Sequence, residues 1–223
     1  MFELIKKRFF PKHYGLPSSD LRERFSHIYF KNIFGGEESR SGEGSNMVQT
    51  AEIRRELPKL LREFEIKTLM DAPCGDWHWM KELPLDVDQY IGVDIVDSLI
   101  ESNRQQFGNA ATSFVCLNLA SDQLPQADLI FCRDCLVHLT FKDIRRVIAN
   151  FKKSNSKYFL TTTFTERQNN FDLLGDAVWR PLNLEMAPFN FPKPVKLLNE
   201  KCTEANGQFA DKCLGLWLLD EIK

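Results

Sequence analysis

The sequence is arranged around one stretch, Leu69-Met-Asp-Ala-Pro-Cys-Gly-Asp-Trp77. A short apolar run over 66–70 ends at Asp71, passes through a Pro-x-Gly turn and leads into 77–83, where the pattern predicts a helix. A strand, a tight turn and a helix in this order place the helix N-terminus above the end of the strand, where its amides can meet a ligand. We therefore expect the main binding site of the protein at this turn.

A second acidic residue strengthens this expectation. Another apolar run, over 90–94, ends at Asp94, 23 positions after Asp71. A carboxylate at the end of a second strand, at about this distance from the turn, can accept hydrogen bonds from both hydroxyls of a ribose. Asp71 and Asp94 together predict a nucleoside site. The alternative is that the two carboxylates only end strands and cap helices.

The glycines of the turn limit the kind of nucleoside. A dinucleotide-binding turn has the pattern G-x-G-x-x-G, so that bare backbone can approach a pyrophosphate. Here only Gly75 is present, with Pro73 and Trp77 where small residues would be needed. Pyrophosphate binding is therefore disfavoured, and a nicotinamide-dependent oxidoreductase is kept only as an alternative.

The segment Asp71-Ala-Pro-Cys-Gly75, taken with Asp94, resembles motif I and the second-strand acid of class I S-adenosylmethionine (SAM)-dependent methyltransferases. The family pattern is acidic-x-Gly-x-Gly-x-Gly, and two of its three glycines are replaced here. The resemblance implies SAM as cofactor, with S-adenosylhomocysteine as its product, Asp71 near the methionine ammonium and Asp94 on the ribose. The implied cofactor-binding residues are Asp71, Ala72, Pro73, Cys74, Gly75, Trp77, Asp94, Ile95, Asn118, Leu119 and Arg133. A non-catalytic nucleoside-binding scaffold is the alternative that the lost glycines favour.

Asn118 lies at the end of the third predicted strand, where the methyltransferase pattern has a polar residue that meets the adenine amino group. An Asn side chain can accept a hydrogen bond from that amine and donate one to a ring nitrogen.

The remaining apolar runs predict the fold class, α/β with a doubly wound, Rossmann-like sheet, because strands alternate with helices. Asn206-Gly207 marks a hairpin-like turn between the last two strands. Two closing strands without a helix between them resemble the end of the class I methyltransferase sheet, which is mostly parallel with an antiparallel last strand. The seven predicted strands cover 66–70, 90–94, 112–116, 127–132, 157–163, 195–201 and 214–219.

Two regions divide the chain: cap helices and a glycine-rich lid over 1–65, and a SAM-binding methyltransferase core over 66–223. Residues 1–12 are basic and amphipathic, and we expect a helix packed on its own domain rather than on a membrane. The glycine- and serine-rich segment 35–45 predicts a loop that is either a linker or a lid over a ligand. Pro58 predicts a break between two short helices.

The segment Cys132-Arg-Asp-Cys-Leu-Val-His138 follows the fourth strand, at the sheet edge where open α/β folds bind ligands. Methyl transfer from a sulfonium requires alignment of the acceptor and removal of its proton. We predict His138 as the general base and Asp134 as the carboxylate that orients it. Alternatively, His138 is a half-buried helix residue and Asp134 a helix cap. Arg133 is predicted to be either a contact to the SAM carboxylate or a surface residue.

The spacing of Cys132 and Cys135 also occurs in redox pairs and in halves of zinc sites. A structural zinc site needs two further ligands, and the other cysteines show no second paired spacing. We therefore expect no metal.

Composition limits the function classes. The chain has 223 residues, 43% of them hydrophobic, enough for one domain, and its net charge of −2 gives no basic field for a nucleic-acid partner. Its 6 cysteines stand in mostly apolar contexts without a secretory leader, so we expect a cytoplasmic protein with free thiols. No apolar run reaches the about 18 residues that indicate a transmembrane segment.

The segments that follow the fifth predicted strand indicate which kind of molecule accepts the methyl group. Polar residues stand beside aromatic ones over 161–170 and 179–185, which favours an acceptor with many hydroxyls. The alternative is that Trp179 and Phe189 only cover the edge of the sheet. With the Ser-Gly-x-Gly-Ser segment at 41–45, Cys-Arg-Asp-Cys-Leu-Val-His at 132–138 and Trp-Arg-Pro-Leu-Asn at 179–183, the whole chain also resembles a bacterial-type methyltransferase group often found among surface-polysaccharide genes. We expect methyl transfer to a hydroxyl of a sugar or another small molecule.

Overall fold

The computed structural model describes residues 20–175 and 177–223, and within them helices alternate with the strands of one seven-stranded sheet. The helices are α1 (Leu21–Phe30), α2 (Ala51–Glu63), α3 (Asp97–Phe107), α4 (Phe141–Lys153) and the single turn α5 (Glu204–Gly207). The strands are β1 (Thr68–Asp71), β2 (Gln89–Asp94), β3 (Thr112–Cys116), β4 (Leu129–Cys132), β5 (Tyr158–Phe164), β6 (Lys196–Asn199) and β7 (Lys212–Leu218).

The strand order is β3-β2-β1-β4-β5-β7-β6, and β1 to β5 pair in parallel. Strand β7 is antiparallel to both β5 and β6. Only the last strand therefore runs against the others, and β6 and β7 pair as the hairpin that Asn206-Gly207 indicated. The predicted fold class, α/β and Rossmann-like with seven strands, is confirmed.

Both faces of the sheet are covered, which explains why its central strands are apolar throughout. All four residues of β4 are buried, and alternate ones contribute to different apolar clusters. Ile130 packs on one side with Ile144 and Phe151 of α4, while Phe131 packs on the other with Leu57 of α2. Helix α2 thus shares an apolar cluster with the strands of the sheet. The division of the chain into two regions at residue 65 stays a prediction.

Pro58 does not break the second helix, contrary to the sequence prediction. It lies inside α2, which continues to Glu63. A proline inside a helix costs about 3 kcal/mol, but each fully buried aliphatic side chain contributes about 1.5–3 kcal/mol. Helix α2 buries four of them, at Ile53, Leu57, Leu60 and Leu61. The packing of this apolar stripe therefore outweighs the lost hydrogen bond.

The helix predicted over 77–83 is also wrong, because the chain makes turns there and a short 3-10 helix at Met80–Glu82. Trp77 has a φ of +56°, a left-handed conformation that an α-helix does not accept. Its ring packs against Tyr90, Phe107 and Phe114, with ring centroids 5.4, 4.9 and 5.3 Å apart. This aromatic packing fixes the turn instead of a helix.

Two helices begin with different caps. Thr140 caps α4, since its Oγ1 accepts a hydrogen bond from the Asp143 amide at 3.2 Å. Asp97 is the first residue of α3, and its cap is Val96, which makes no side-chain hydrogen bond there.

None of the helices within 20–175 and 177–223 is long and apolar enough to cross a membrane. The helix expected over 1–12 lies outside the described residues.

Candidate active site

A cleft lies at the carboxyl ends of β1, β2 and β4, with about 1180 Å³ of space that is partly open to solvent. Twelve of the candidate catalytic and cofactor-binding residues line it: Asp71, Pro73, Cys74, Gly75, Trp77, Asp94, Ile95, Asn118, Leu119, Arg133, Asp134 and His138. Ala72 does not line the cleft. It is fully buried, and its amide donates to the Phe131 carbonyl at 2.8 Å.

The roof of the cleft consists of residues that were not named as site residues from the sequence. Helix α1 contributes an apolar face, and the following loop contributes an aromatic ring and polar groups. The helical spacing of apolar residues in α1 and the glycines of the loop were the available signals, but neither indicates which side chains turn inward. The roof residues are Leu21, Phe25, Ile28, Tyr29, Phe34, Arg40, Ser41 and Ser45.

Asp94 is held by backbone amides. Its Oδ1 accepts from the Val96 amide at 3.0 Å and its Oδ2 from the Gly75 amide at 3.2 Å. Burial raises the pKa of this carboxyl, and the amide hydrogen bonds act in the opposite direction. Each carboxylate oxygen has a second lone pair, so Asp94 can still accept hydrogen bonds from a ligand in the cleft.

Asp71 lies deeper, and the Tyr90 hydroxyl donates to its Oδ2 at 2.5 Å. Burial raises the pKa of Asp71 to about 8, although the hydrogen bond from Tyr90 lowers it. The carboxyl is therefore largely protonated at neutral pH. A cation placed beside it would favour the ionised form.

The turn between these two acids approaches the roof closely. Gly75 has a φ of +55°, and a Cβ at this position would lie 2.3 Å from Ser41 Oγ. The carbonyl of Gly75 accepts from Asn103 Nδ2 at 2.8 Å, which ties the turn to α3. The turn thus requires a glycine both for its conformation and for the contact with the loop above it.

The glycine-rich loop over 35–45 packs over the cleft. Ser39 Oγ and the Arg40 amide donate to the two carboxylate oxygens of Asp76 at 2.8 and 3.0 Å. The Gly44 carbonyl accepts from Arg133 Nη2 at 2.8 Å. The loop therefore has the position of a cover, while its opening and closing remain a prediction.

Arg133 is buried, so its interpretation as a surface residue is wrong. Its Nη2 donates to Glu200 Oε2 at 2.9 Å, and its Nη1 lies 3.3 Å from Asp134 Oδ2. Lys212 Nζ completes this ion cluster by donating to Asp134 Oδ2 at 2.6 Å. Although Arg133 lines the cleft, most of its donors are used by the protein.

Asp134 stays ionised in this cluster. Burial would raise its pKa, but the Lys212 ammonium and the Arg133 guanidinium hold that pKa well below its usual value. Its amide donates to Thr162 Oγ1 at 2.8 Å, and its φ of +50° is left-handed. It is not a helix cap.

His138 is the last residue of a 3-10 turn, Leu136–His138, that follows β4. Its Nδ1 lies 2.5 Å from the Val178 carbonyl and not on Asp134, so the predicted orienting contact is not formed. A carbonyl only accepts, so Nδ1 carries the hydrogen and Nε2 is unprotonated. Burial lowers the pKa of His138 to about 4, which keeps the ring neutral at physiological pH. Phe34 of the roof packs on the ring, with centroids 4.5 Å apart.

Asn118 is partly committed to the backbone. Its Oδ1 accepts from the Ala120 amide at 2.9 Å. The Nδ2 group is therefore the stronger candidate for a hydrogen bond to a ligand.

The polar residues over 161–170 and 179–185 do not line the cleft. Asn170 Nδ2 donates to the Asn183 carbonyl at 2.8 Å, and Asn183 Nδ2 donates to the Arg167 carbonyl at 2.9 Å. Trp179 packs on Phe209 with ring centroids 5.0 Å apart. These groups hold the connections together, so they give no support to a saccharide acceptor.

The two cysteines of the C-x-x-C spacing are buried, Cys132 completely. Among the described residues, no group of three or more His, Cys, Asp or Glu side chains is placed to hold a metal ion.

Comparison with known proteins adds independent information. Residues 70–155 match a family model described as a methyltransferase domain. A comparison with curated protein sequences gives no match.

Several solved structures share the fold. The N-methyltransferase NodS from Bradyrhizobium japonicum WM9, in complex with S-adenosylhomocysteine, has a TM-score of 0.61 at 12% identity, over 86% of this chain and 97% of that chain. Human N-acetylserotonin methyltransferase in complex with SAM has a TM-score of 0.58 at 14% identity, over 91% of this chain and 60% of that chain. The bacterial CtHen1-C methyltransferase domain has a TM-score of 0.53 at 15% identity, over 78% and 98%. The chain thus spans less than two thirds of the human protein.

Proposed function

We propose that this chain is a SAM-dependent methyltransferase that transfers the methyl group to a hydroxyl of a small-molecule acceptor. Residues 70–155 match a methyltransferase domain model, and the seven-stranded sheet shares the fold of solved methyltransferases. A sugar hydroxyl is the first candidate. The single observation that carries the choice of a hydroxyl is the neutral His138 ring, whose Nδ1 is held by the Val178 carbonyl.

The residues of the cleft fit the cofactor. Asp94 and Asp71 present one carboxyl for ribose hydroxyls and one for a cationic amine, with the Gly75 turn between them. The Trp77 ring packs onto Phe107 and leaves the cleft open, which favours an enzyme over a scaffold that has lost its ligand. SAM, when bound, supplies a methyl group on a positively charged sulfur.

His138 would then act as the base. Its Nε2 would take the hydroxyl proton and the ring would become an imidazolium, while the methyl group passes from the SAM sulfur to the acceptor oxygen and S-adenosylhomocysteine is the leaving group. The neutral ring is in the correct form to accept this proton over the physiological pH range. Alignment of the acceptor by the cleft would supply the rest of the rate enhancement.

The acceptor side of the cleft combines aromatic rings with one ionised carboxylate. Phe34, Trp79, Asp134 and His138 all line the cleft, and the Phe34 ring packs on the His138 ring. A sugar ring can pack its C–H face on an aromatic side chain while its hydroxyls donate to a carboxylate. This combination supports a sugar or another hydroxylated small molecule.

The test is a screen with methyl-labelled SAM. Purified protein is incubated with nucleotide sugars, capsular oligosaccharides, small hydroxylated metabolites, cell-extract proteins and RNA, and label is expected in the sugar or metabolite pool. Label in RNA or protein would overturn the proposed acceptor class. His138→Gln should retain S-adenosylhomocysteine binding and lower the transfer rate about 10²-fold.

A cytoplasmic location forms part of this proposal. All 6 cysteines of the chain are free thiols, as is usual in a reducing compartment.

A further inference from the structure

Arg180 is a buried arginine that the proposed reaction does not use directly. It is 7% exposed and does not line the cleft. Its Nε donates to the Phe171 carbonyl at 3.1 Å, its Nη1 to the Leu136 carbonyl at 2.9 Å and its Nη2 to the Leu139 carbonyl at 2.5 Å. Its guanidinium also packs over the Phe141 ring, 5.5 Å from the centroid. The three carbonyls thus fix the position of the buried guanidinium.

The carbonyls that Arg180 binds belong to the turn that carries His138. Leu136–His138 is one 3-10 turn. Its Leu136 carbonyl accepts from the Leu139 amide at 3.2 Å, and so short a turn offers no amide to the carbonyls that follow. The guanidinium binds the carbonyls of Leu136 and Leu139, and the Arg180 amide donates to the Val137 carbonyl at 3.1 Å. One residue thus binds the backbone on both sides of His138.

The same segment holds the imidazole itself. Val178, two residues before Arg180, supplies the carbonyl that accepts from His138 Nδ1. A shift of this segment would therefore move the turn and the ring's hydrogen-bond partner together. Free imidazole has no such restraint and exchanges between its two tautomers.

The charges around the ring also include Arg180. Besides burial, the Val178 carbonyl and Asp134 raise the pKa of His138, whereas Arg180 and Lys212 lower it. The guanidinium itself stays charged at neutral pH, since burial lowers the pKa of Arg180 only to about 10.

We propose that Arg180 is the positioning residue for His138: by binding the Leu136 and Leu139 carbonyls it holds the Val178 carbonyl on Nδ1 and keeps Nε2 unprotonated. The importance of this arrangement for catalysis rests on the proposed function. The arrangement itself can be measured without an acceptor.

The experiment is two-bond ¹⁵N–¹H correlation spectroscopy of the full chain labelled with ¹⁵N-histidine. The chain has 4 histidines, so the spectrum is simple, and His138→Gln assigns the signal. Wild type should show His138 as the Nδ1-protonated tautomer with a depressed pKa. In Arg180→Met we expect this tautomer to become a minor form and the pKa to rise toward the ordinary value of about 6.5.

Arg180→Lys keeps the positive charge, but a lysine can bind fewer of the carbonyls, so this variant should give an intermediate tautomer ratio. It also keeps the proposal testable if Arg180→Met does not fold. The matched control is Arg167→Met. Arg167 also donates to a carbonyl, that of Gln208, and to Asp211, but within the described part of the chain it makes no hydrogen bond to the His138 turn. It should leave the His138 signal unchanged.

An unchanged tautomer in folded Arg180→Met, or a wild-type ring protonated at Nε2, would overturn the positioning role. A lower melting temperature of Arg180→Met, with the wild-type tautomer of His138 retained, would show that Arg180 only stabilises the fold. A normal His138 signal combined with full transfer by His138→Gln would instead overturn the proposed function and leave the Arg180 result valid.

Discussion

Asp71 is the residue whose protonation we expect to change when the ligand binds. The pKa of Asp71 is about 8 because of burial, so at pH 7 the carboxyl is mostly protonated. The ammonium of a bound S-adenosylhomocysteine would favour the carboxylate and lower this pKa, so binding near pH 7 should release a proton. Calorimetric titration in buffers of different ionisation enthalpy measures this release directly.

The raised pKa of Asp71 also predicts how the free energy of unfolding depends on pH. Its contribution to the stability of the folded protein is complete below the unfolded pKa of about 3.9, and it is lost as the pH rises through about 8. Asp71→Asn should abolish both the proton release and this pH dependence. Tyr90→Phe, which removes a hydrogen bond to the carboxylate, should retain proton release. Binding enthalpies that do not depend on the buffer would contradict the assignment.

At the scale of single elements, the loop over 35–45 is expected to respond to the cofactor. The loop contacts the Gly75 turn and Asp76 directly. A ligand bound in the cleft would therefore add contacts to the loop that are not formed without the ligand. We predict that the loop exchanges its amide hydrogens rapidly without S-adenosylhomocysteine and slowly with it. Hydrogen exchange by mass spectrometry measures both states, and α4 serves as the internal reference.

Gly75→Ala should remove most of this protection, because the added Cβ would lie 2.3 Å from Ser41 Oγ. Gly175→Ala is the matched control, since Gly175 has a similar φ of +56° but no atom within 4 Å of an added Cβ. Equal protection of the loop with and without ligand in wild type would identify it as a plain linker.

A buried ion cluster connects the ends of β4 and β6 with β7, and it consists of Arg133, Asp134, Glu200 and Lys212. Glu200 and Lys212 side chains are 1% and 5% exposed, so removal of one partner leaves uncompensated buried charge. Glu200→Ala should destabilise the protein by about 3–5 kcal/mol. Glu63→Ala breaks an exposed ion pair with Lys196 and should change stability by at most about 1 kcal/mol. Urea unfolding of both variants measures the difference, and equal effects would contradict a structural role of the cluster.

Over the whole molecule, the cleft joins parts that are far apart in the chain, from α1 to α4. A ligand that binds only the folded state stabilises it by about 2.7 kcal/mol at 100 times its dissociation constant. For a chain of this size each kcal/mol corresponds to about 2–4 °C, so S-adenosylhomocysteine should raise the melting temperature by about 5–10 °C. Asp94→Ala should lose most of this shift, whereas an equal shift with NAD would count against SAM as the cofactor.

Local sequence patterns were sufficient for the seven strands, for the Gly75 turn and for the two acids at strand ends. Strand burial and turn chemistry are short-range properties, and the carboxyl ends of parallel strands meet at one edge of the sheet. Most of the candidate site residues therefore line the cleft, although the residues of its roof were not predicted. Where packing opposes local preference, as at Pro58 and Trp77, the local prediction was wrong.

The partners of the site residues depend on the tertiary structure alone. Arg133 pairs with Glu200, 67 residues away, and His138 with the Val178 carbonyl, 40 residues away. No periodicity or spacing connects such segments, because their contacts arise only when β6 and β7 and the connection before them fold back onto the end of β4. Tertiary packing therefore decided that Asp134 binds Lys212 rather than His138, and that a backbone carbonyl sets the protonation of the imidazole.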